Sequence, residues 1–345
     1  MSKVRVGLVF GGESQEHEVS IMTAREVLGA MDPERYDIDL YGIDKGGAWH
    51  RMQGSLKGLE SLEMTAKGKR IPGELVESLQ QCDVLFPLLH GPYGEDGRIQ
   101  GFFEMLGLPY VGSGVLGSAV AMDKEVARRL LMAGGIPMVE ARVLRVHETV
   151  DCEALVQDLG LPLFIKPANL GSSIGITKAK SGEALAAGIA EAFKYDDKIL
   201  VEKGHEVREI ECGVLGNLDP VVSGPGEIIP SHEFYDYEAK YFDGGASKIV
   251  IPANLEEKEV QRIQFLALKA FRELELSGLA RVDFFIDRVT GEIYLNEVNT
   301  IPGFTPFSMY PRLFVASGLS YSEVIERLVT LALKRGGTAS EKQHD

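Results

Sequence analysis

The fold class is decided by residues 4–12, VRVGLVFGG. Residues 4–10 form an apolar run that only Arg5 interrupts, and a run of this length is typical of a buried strand. The two glycines that end the run indicate a turn, and apolar residues then recur at helical spacing between Glu18 and Met31. A strand, a glycine turn and a helix in this order predict the first unit of an α/β sheet.

The same alternation continues through the first part of the chain. Apolar runs predict strands at 36–43 and 83–89, and helical spacing predicts helices around 75–80 and 97–106. Because strands that alternate with helices usually pair in parallel, we expect residues 1–122 to form an α/β domain with a parallel sheet.

Two further groups of elements follow Asp123. The first group contains a helix that ends at Met132, strands near 139–144 and 163–166, and a helix over 153–159. The second is rich in strands from Glu209 onward and contains a long helix over 256–276, a hairpin over 281–299 and a closing helix over 322–334. We therefore predict three domains, at 1–122, 123–208 and 209–345.

Charge and cysteine content limit the cellular context. The 345 residues carry a formal net charge of -15, which disfavours binding to nucleic acid or to an anionic membrane. Cys82, Cys152 and Cys212 are far apart and lack metal-binding spacing, so we expect buried free thiols in a reducing compartment. No apolar run approaches the roughly 18 residues that cross a bilayer. These features predict a cytoplasmic protein.

Two glycine-rich loops follow predicted strands. Residues 11–20, GGESQEHEVS, lie where open α/β sheets bind ligands, but they lack the Gly-x-Gly-x-x-Gly pattern of dinucleotide sites. Their acidic residues could instead stabilise the N-terminus of the helix through its dipole. Residues 90–97, HGPYGEDG, follow another strand, and we expect both loops to border one cleft.

A third segment has the features of a phosphate site. Residues 166–175, KPANLGSSIG, place a lysine at the end of a strand, before small residues whose N–H groups could close on phosphate oxygens. The Gly-Lys-Ser/Thr of a P-loop is absent, and the alternative is a glycine-rich hairpin with a solvated Lys166. Lys124, at the start of a helix, could reach the same phosphates. The strand over 199–203 could receive an adenine edge, and Glu209 could accept the ribose hydroxyls.

The strongest chemical signal is a pair of motifs, RVD at 281–283 and NEVN at 296–299. If residues 288–292 form the loop of an antiparallel hairpin, Asp287 pairs with Ile293. This register brings the acidic residues of the two motifs to the same face of the sheet.

Asp283 then lies opposite Glu297, with Asn299 two residues further on. Opposed carboxylates repel each other unless a cation lies between them, and a few hard oxygen ligands suit Mg²⁺ that also binds phosphate and water. The sequence therefore predicts these three residues as a magnesium site. The alternative is a solvated, charged hairpin face, which is disfavoured by the apolar neighbours Phe284, Phe285 and Leu295.

Two later segments are functional candidates. Residues 300–308, TIPGFTPFS, predict a rigid turn in which the amide of Gly303 could donate to an oxyanion. Residues 233–241, EFYDYEAKY, are rich in aromatic side chains and precede two glycines, a pattern typical of a mobile loop over a site. The alternative is an amphipathic strand with Tyr235 and Tyr237 packed on one face.

Over nearly its whole length the sequence resembles the D-alanine:D-alanine ligases. The resemblance rests on five motifs in order, from GG-x-S-x-EHEVS at 11–20 to NEVNT-x-PG at 296–303. It implies the ATP-grasp architecture, with an N-terminal Rossmann-like parallel-sheet domain and two α+β domains that clasp ATP. It also implies ATP-dependent ligation of two D-alanine molecules through a D-alanyl phosphate, for peptidoglycan precursors.

The resemblance assigns roles by position. Acyl transfer is assigned to Glu16, which would bind the ammonium of the first D-alanine, and to Ser172, Tyr241, Arg281 and Gly303. Substrate contacts are assigned to His90, Lys240 and Ser308, and nucleotide contacts to Lys124, Lys166, Ser173, Glu202, Lys203 and Glu209. The metal ligands are Asp283, Glu297 and Asn299. Residues 233–241 correspond to a lid. The family further implies two Mg²⁺ or Mn²⁺ ions, a homodimer, and no nucleic-acid or membrane partner.

Alternatives to this function concern the acceptor and the loss of activity. The first alternative is a D-alanine:D-lactate or D-alanine:D-serine ligase. Relatives that make the D-alanine:D-lactate ester usually differ at the position of Tyr241, so its presence favours D-alanine as acceptor. A catalytically inert nucleotide-binding or amino-acid-binding protein would need damaged metal ligands, and none is damaged. Val207 and Arg208 precede Glu209 where many relatives have small residues or glycine and proline, so the sequence departs from the family pattern beside the adenosine contacts.

Overall fold

The computed structural model describes residues 3–52, 71–171, 174–230 and 248–342, and side chains up to residue 336. These residues form three β-sheets with helices packed on them. Within the described ranges, none of the helices combines the length and the apolar character needed to span a bilayer.

The first sheet has the order β3-β2-β1-β4. Its strands are β1 (Val4–Gly11), β2 (Tyr36–Ile43), β3 (Trp49–Met52) and β4 (Val84–Pro87). The helices of this region are α1 (His17–Ala30), α2 (Gly73–Leu79) and α3 (Arg98–Met105). β1 pairs in parallel with β2 and β4, as predicted. β3 is antiparallel to β2, which corrects the expectation of a wholly parallel sheet: a short turn after Ile43 returns the chain directly beside β2, without a crossover helix.

The second sheet is antiparallel throughout and has the order β5-β8-β6-β7. Its elements are β5 (Ala141–Arg145), α6 (Cys152–Leu159), β6 (Leu163–Pro167), β7 (Thr177–Ala179), α7 (Gly182–Ala192) and β8 (Lys198–Lys203). Two helices precede it, α4 (Val115–Met122) and α5 (Lys124–Ala133). α5 begins after Asp123, whose carboxylate caps it by accepting the amides of Glu125 and Val126 at 3.1 Å. Apolar residues of α4 and α5 pack in the core of the third sheet.

The third sheet is antiparallel and has the order β12-β11-β9-β13-β14, with β10 paired to β9. Its strands are β9 (Val207–Gly216), β10 (Val221–Val222), β11 (Gly226–Ile229), β12 (Lys248–Val250), β13 (Gly278–Asp287) and β14 (Ile293–Asn299). α8 (Glu257–Glu273) covers one face, where Ile263, Leu266 and Phe271 join the sheet in a single apolar core.

The hairpin of β13 and β14 corrects one predicted pairing. Ile293 lies opposite Ile286 and not opposite Asp287, because Asp287 instead caps the turn and accepts the amides of Val289 and Thr290 at 2.8 Å. The register then shifts by one residue beside Asp283, so that Asp283 does lie opposite Glu297 as predicted. The shift is a β-bulge that leaves Asn296 without a residue opposite on β13.

The end of the chain completes the core of the first sheet. α9 (Met309–Ala316) and α10 (Tyr321–Lys342) follow the third sheet and return to the first. Buried residues of α10, among them Val324 and Leu328, share one apolar cluster with Val6, Leu8 and Phe86. The two ends of the chain therefore bury each other.

The three cysteines are free thiols. Cys82 and Cys212 are buried as predicted, whereas Cys152 is only half-buried because it is the first residue of α6 and lies near the surface.

We expect Leu328→Ala to destabilise the first sheet, although Leu328 lies far from it in sequence. Leu328 is fully buried in the shared cluster, and removal of a buried leucine side chain costs about 2–5 kcal/mol. Trp49, the single tryptophan, lies in β3 on the opposite face of that sheet, so its fluorescence reports unfolding without direct contact with the mutation.

The measurement is urea unfolding followed by Trp49 fluorescence. Leu218→Ala is the matched control, because Leu218 is 99% exposed and should change the stability by less than about 0.5 kcal/mol. An unchanged Trp49 transition in Leu328→Ala would show that α10 does not support the first sheet.

Candidate active site

Two cavities lie side by side along the third sheet. The first, of about 440 Å³, lies between the second and third sheets. The second, of about 390 Å³, lies between the loops of the first sheet and the end of β14. Both are lined by Gly171, Glu211, Ile228 and Glu297, so the cavities meet at these residues.

Lys166 provides a buried cation in the first cavity. It is only 9% exposed, and its Nζ lies 2.6 Å from Glu202 Oε2 and donates to Asn296 Oδ1 at 3.2 Å. The alternative of a solvated lysine is therefore wrong. The bulge explains the contact with Asn296. Because Asn296 has no residue opposite on β13, its side chain is free to turn the amide oxygen towards the cavity.

Lys124 lines the same cavity from the start of α5. Its Nζ donates to the carbonyl of Leu170 at 2.6 Å and lies 3.9 Å from Glu297 Oε2. Its backbone amide donates to the carbonyl of Ala168 at 2.9 Å, which ties α5 to the loop after β6. The two lysines that were predicted to reach one ligand thus face one space, bordered by carboxylates.

The remaining wall of the first cavity is suited to a flat, partly apolar group. Glu202, Lys203 and Glu209 line it, as do residues that the sequence did not point to, among them Phe164 and His205. His205 Nδ1 lies 2.7 Å from Asp287 Oδ2, so the turn-capping carboxylate also fixes this ring.

The side chains of the Val207-Arg208 pair have different surroundings. Val207 lines the first cavity. Arg208 forms a bidentate pair with Glu227 at 2.8 and 2.7 Å and donates to the carbonyl of Asn254 at 2.9 Å. The arginine thereby joins β9 to β11 and does not line the cavity.

The second cavity brings together the two loops that follow strands of the first sheet. Glu16 and His90 both line it and are 7% and 4% exposed. Glu16 occupies the N-cap position of α1 but makes no capping bond with its side chain, whereas Glu18 lies in the first turn, where an acidic residue complements the helix dipole as the alternative predicted. Burial lowers the pKa of His90, and the charge of Arg281 lowers it further, which favours a neutral ring.

Arg281 is the central cation of the second cavity. Its Nε lies 2.8 Å from Asp283 Oδ1 and 2.8 Å from Glu211 Oε2, and its Nη2 lies 2.7 Å from Asp283 Oδ2. Burial lowers the pKa of Arg281, but Asp283 and Glu211 raise it by more, so the group stays charged. Glu211 was not predicted; its signal was an acidic residue within the apolar strand β9.

Glu211, Asp283 and Glu297 form a row across three adjacent strands. Asp283 lies opposite Glu211 on β9 and opposite Glu297 on β14. Asn299 Nδ2 donates to Asp283 Oδ2 at 3.0 Å. Among the described residues, no three His, Cys, Asp or Glu side chains converge closely enough to hold a metal ion by themselves. The predicted set of two carboxylates and one amide oxygen suits a hard cation that takes further ligands from phosphate or water.

The turn over 300–308 forms the floor of the second cavity. Ile301, Gly303 and Ser308 line it. Ser308 precedes α9, and its hydroxyl accepts the amide of Thr305 at 3.2 Å, which closes the turn.

Glu95 is a residue of this cavity that the sequence did not single out. Its Oε2 accepts the amide of Gly91 at 2.8 Å, and its Oε1 accepts the amide of Ile301 at 3.0 Å. Burial raises the pKa of Glu95 to about 8, and the neighbouring charge of Glu16 contributes to the rise. Its position in the predicted loop over 90–97 was the available signal.

The chain matches known proteins over almost its entire length. Residues 5–113 match the family model described as D-ala D-ala ligase N-terminus, and residues 130–330 match D-ala D-ala ligase C-terminus. A D-alanine--D-alanine ligase of Thermoanaerobacter sp. (strain X514) is 47% identical over 352 residues, which cover 97% of this chain and 98% of that protein. The chain belongs to the D-alanine:D-alanine ligase family.

Solved structures agree with this membership. The D-alanine-D-alanine ligase from Coxiella burnetii has a TM-score of 0.83 at 34% identity and covers 99% of this chain and 98% of its own. The VanG D-Ala:D-Ser ligase from Enterococcus faecalis has a TM-score of 0.81 at 34% identity and covers 96% of this chain and 100% of its own. The predicted resemblance and the ATP-grasp fold class are confirmed.

Part of the family pattern lies outside the described residues. This applies to Ser172, Ser173, Lys240, Tyr241 and the predicted lid over 233–241. The other residues predicted for the site of this family member line one of the two cavities.

The raised pKa of Glu95 predicts a pH-dependent contribution to stability. The folded chain retains a proton on this group up to about pH 8, whereas the usual glutamate value of 4.5 applies after unfolding. Its contribution is therefore fully present below about pH 4.5 and is lost as the pH rises through 8.

We expect the free energy of unfolding of Glu95→Gln to increase relative to that of wild type between about pH 5 and about pH 9, because wild type loses stability over this range and glutamine does not ionise. Urea unfolding at several pH values measures this difference. A constant offset between variant and wild type across the range would contradict the assignment.

Proposed function

We propose that the chain joins two molecules of D-alanine at the expense of ATP and forms the D-alanyl-D-alanine of peptidoglycan precursors. The observation that carries this proposal is the junction of the two cavities at Glu297. On one side two lysines suit a nucleotide phosphate, and on the other a buried Glu16 and Arg281 suit an amino acid. Family membership supplies the choice of substrate.

The first step transfers a phosphoryl group across the junction. A carboxylate oxygen of the first D-alanine attacks the γ-phosphorus of ATP, the bond to the β-γ bridging oxygen breaks, and ADP leaves. Glu16 binds the ammonium group of this D-alanine and so fixes its carboxylate towards the nucleotide. Lys124 and Lys166 hold the phosphates from the first cavity.

The second step forms the peptide bond. The amine of the second D-alanine, held by Ser308, attacks the carbonyl carbon of D-alanyl phosphate, and phosphate leaves as the amine loses a proton. Arg281 and the amide of Gly303 stabilise the oxyanion of the tetrahedral intermediate. Catalysis is thus mainly positioning and neutralisation of charge.

Asp283, Glu297 and Asn299 would hold Mg²⁺ or Mn²⁺, as two ions. When bound, the metal neutralises phosphate charge that develops beside these carboxylates. Asn299 donates an N–H to Asp283 in this structure, and half a turn of its amide would present the oxygen instead. Arg281 and Lys124 already lie beside the same acids, which supports a site for positive charge along this row of carboxylates.

Further parts of the proposal rest on the family pattern. Glu202, Lys203 and Glu209 bind the adenosine, and Ser173 binds phosphate. Ser172 and Tyr241 form a network with Glu16, His90 lies beside the first D-alanine, and Lys240 binds the second carboxylate under a lid over 233–241. The domains at 1–122, 123–208 and 209–345, the homodimer and the cytoplasmic location are proposed on the same ground.

A second candidate is the use of D-serine or D-lactate as acceptor. The similarity to the VanG D-Ala:D-Ser ligase equals that to the Coxiella burnetii ligase in sequence identity, at 34%. The fold therefore does not discriminate between acceptors, and the choice depends on the walls of the second cavity.

We expect ADP release and D-alanyl-D-alanine from ATP, Mg²⁺ and D-alanine, with little product from L-alanine. Coupled detection of ADP together with mass spectrometry of the products measures this, with D-serine and D-lactate each offered beside D-alanine. A predominant ester or D-alanyl-D-serine product would establish the second candidate, and absence of any ATP-dependent product would overturn both.

We expect Glu297→Gln to lower kcat by at least about 100-fold, because loss of one charge from a metal site removes several kcal/mol of stabilisation of the transition state. The side-chain volume is almost unchanged, so the melting temperature should stay near that of wild type. Glu292→Gln is the matched control, since Glu292 is exposed and immediately precedes the same strand.

Steady-state kinetics in saturating Mg²⁺, together with thermal unfolding, give both quantities. Activity of Glu297→Gln within a few-fold of the Glu292→Gln control would show that the metal assignment is wrong.

A further inference from the structure

The peptide groups of Ile301 are held by the loop over 90–97 of the first sheet. The amide of Ile301 donates to Glu95 Oε1 at 3.0 Å, and its carbonyl accepts a bond from His90 Nδ1 at 3.0 Å. The partners are 206 and 211 residues apart in sequence. Since a neutral imidazole carries one N–H and a carbonyl can only accept, Nδ1 is the protonated nitrogen of His90.

Glu95 is itself fixed on its own side. Its second carboxylate oxygen accepts the amide of Gly91 at 2.8 Å, and its backbone amide donates to the carbonyl of Gly91 at 2.9 Å. A Cβ on Gly91 would lie 3.2 Å from Glu16 Oε2, and this residue has a φ of +73°, so a side chain here is disfavoured twice. The loop that binds Ile301 is therefore compact and borders Glu16.

The other end of the turn is anchored in the core. Phe304 is 1% exposed, lies 6.2 Å from the ring of Phe86 on β4, and accepts a hydrogen bond at its carbonyl from the hydroxyl of Tyr321 at 2.5 Å. Only Pro302 and Gly303 separate the two anchors, and proline has a fixed φ. The position of the Gly303 amide is therefore determined by the bonds to Ile301 on one side and by Phe304 on the other.

We propose that Glu95 is a positioning residue. By bridging the amides of Gly91 and Ile301, it places the Gly303 amide where it donates to the oxyanion of the tetrahedral intermediate and not to the bound substrate. The inference rests on the proposed function, because it assumes that the Gly303 amide meets an oxyanion. Bonds that fix a donor before the reaction act chiefly on the transition state, whereas Glu16 and Ser308 act on the bound amino acids.

Two variants test the bridge. Glu95→Gln keeps one carbonyl oxygen but replaces the other acceptor by an NH₂ group, so that it cannot accept both amides. Glu95→Asp keeps both oxygens on a side chain one methylene shorter, which cannot span both amides. Asp96→Asn is the control: Asp96 also accepts two backbone amides through different oxygens, from Tyr93 at 2.8 Å and Arg98 at 3.2 Å, but both bonds stay within its own loop region.

The probe is a phosphinate analogue of D-alanyl-D-alanine, in which a tetrahedral phosphorus replaces the attacked carbon. For both Glu95 variants we expect its affinity and kcat to fall by about tenfold or more, with the KM values for ATP and D-alanine changed by less than about threefold. Asp96→Asn should leave the ratio of analogue affinity to D-alanine affinity at the wild-type value.

The proposal is overturned if the analogue and D-alanine lose affinity in equal proportion, if neither changes, or if Asp96→Asn gives the same selective loss. Formation of D-alanyl-D-alanine by the wild-type protein tests the proposed function separately. A wild type that makes the dipeptide, with Glu95 variants that lack the selective loss, refutes only the role of Glu95.

Discussion

The candidate active site is built around a row of three carboxylates on three adjacent strands. Glu211, Asp283 and Glu297 lie side by side across β9, β13 and β14, and such an arrangement repels itself unless cations lie among the acids. Arg281 binds the first two and Lys124 approaches the third. The row thus makes one face of the third sheet a place where positive charge is held, and residues of the row line both cavities.

A second constraint joins two loops of the first sheet to the rest of the molecule. The loops that carry Glu16 and His90 belong to the first sheet, whereas the turn that carries Gly303 follows the third. α10 packs against the first sheet, and Phe304 lies in the same apolar cluster. Burial of apolar surface therefore holds the turn over 300–308 close to these loops. Glu95 and His90 then fix the remaining freedom with hydrogen bonds. Packing sets the coarse position of the site, and directional polar bonds set its fine geometry.

The sequence predicted the fold class and most of the local elements because these depend on patterns within short windows. It also placed Asp283 opposite Glu297, although through a hairpin register that was wrong at Asp287: the capping of the turn by that carboxylate and the bulge beside Asp283 shift the register twice, and the two shifts cancel. A local pattern does not reveal a bulge, since the extra residue has no distinctive composition.

Residues that act through distant contacts were missed for a different reason. Glu211 gains its role from its alignment with Asp283 on a neighbouring strand, and Glu95 from a bond across 206 residues. Neither carboxylate belongs to a motif whose spacing has chemical meaning on its own. The solvated alternative for Lys166 likewise failed because its partners, Glu202 and Asn296, come from two other strands.

The packing of α10 on β1 and β4 has a consequence for synthesis of the chain. The ribosome makes the strands of the first sheet, which lie within residues 4–87, well before the helix over 321–342 that covers one face of that sheet. Until residues 321–342 have been made, Val6, Leu8 and Phe86 lack the apolar cover that α10 provides. The nascent chain therefore exposes the apolar surface of an incomplete core. A chain released before α10 is made would be a substrate for chaperones and proteases and not a smaller folded enzyme.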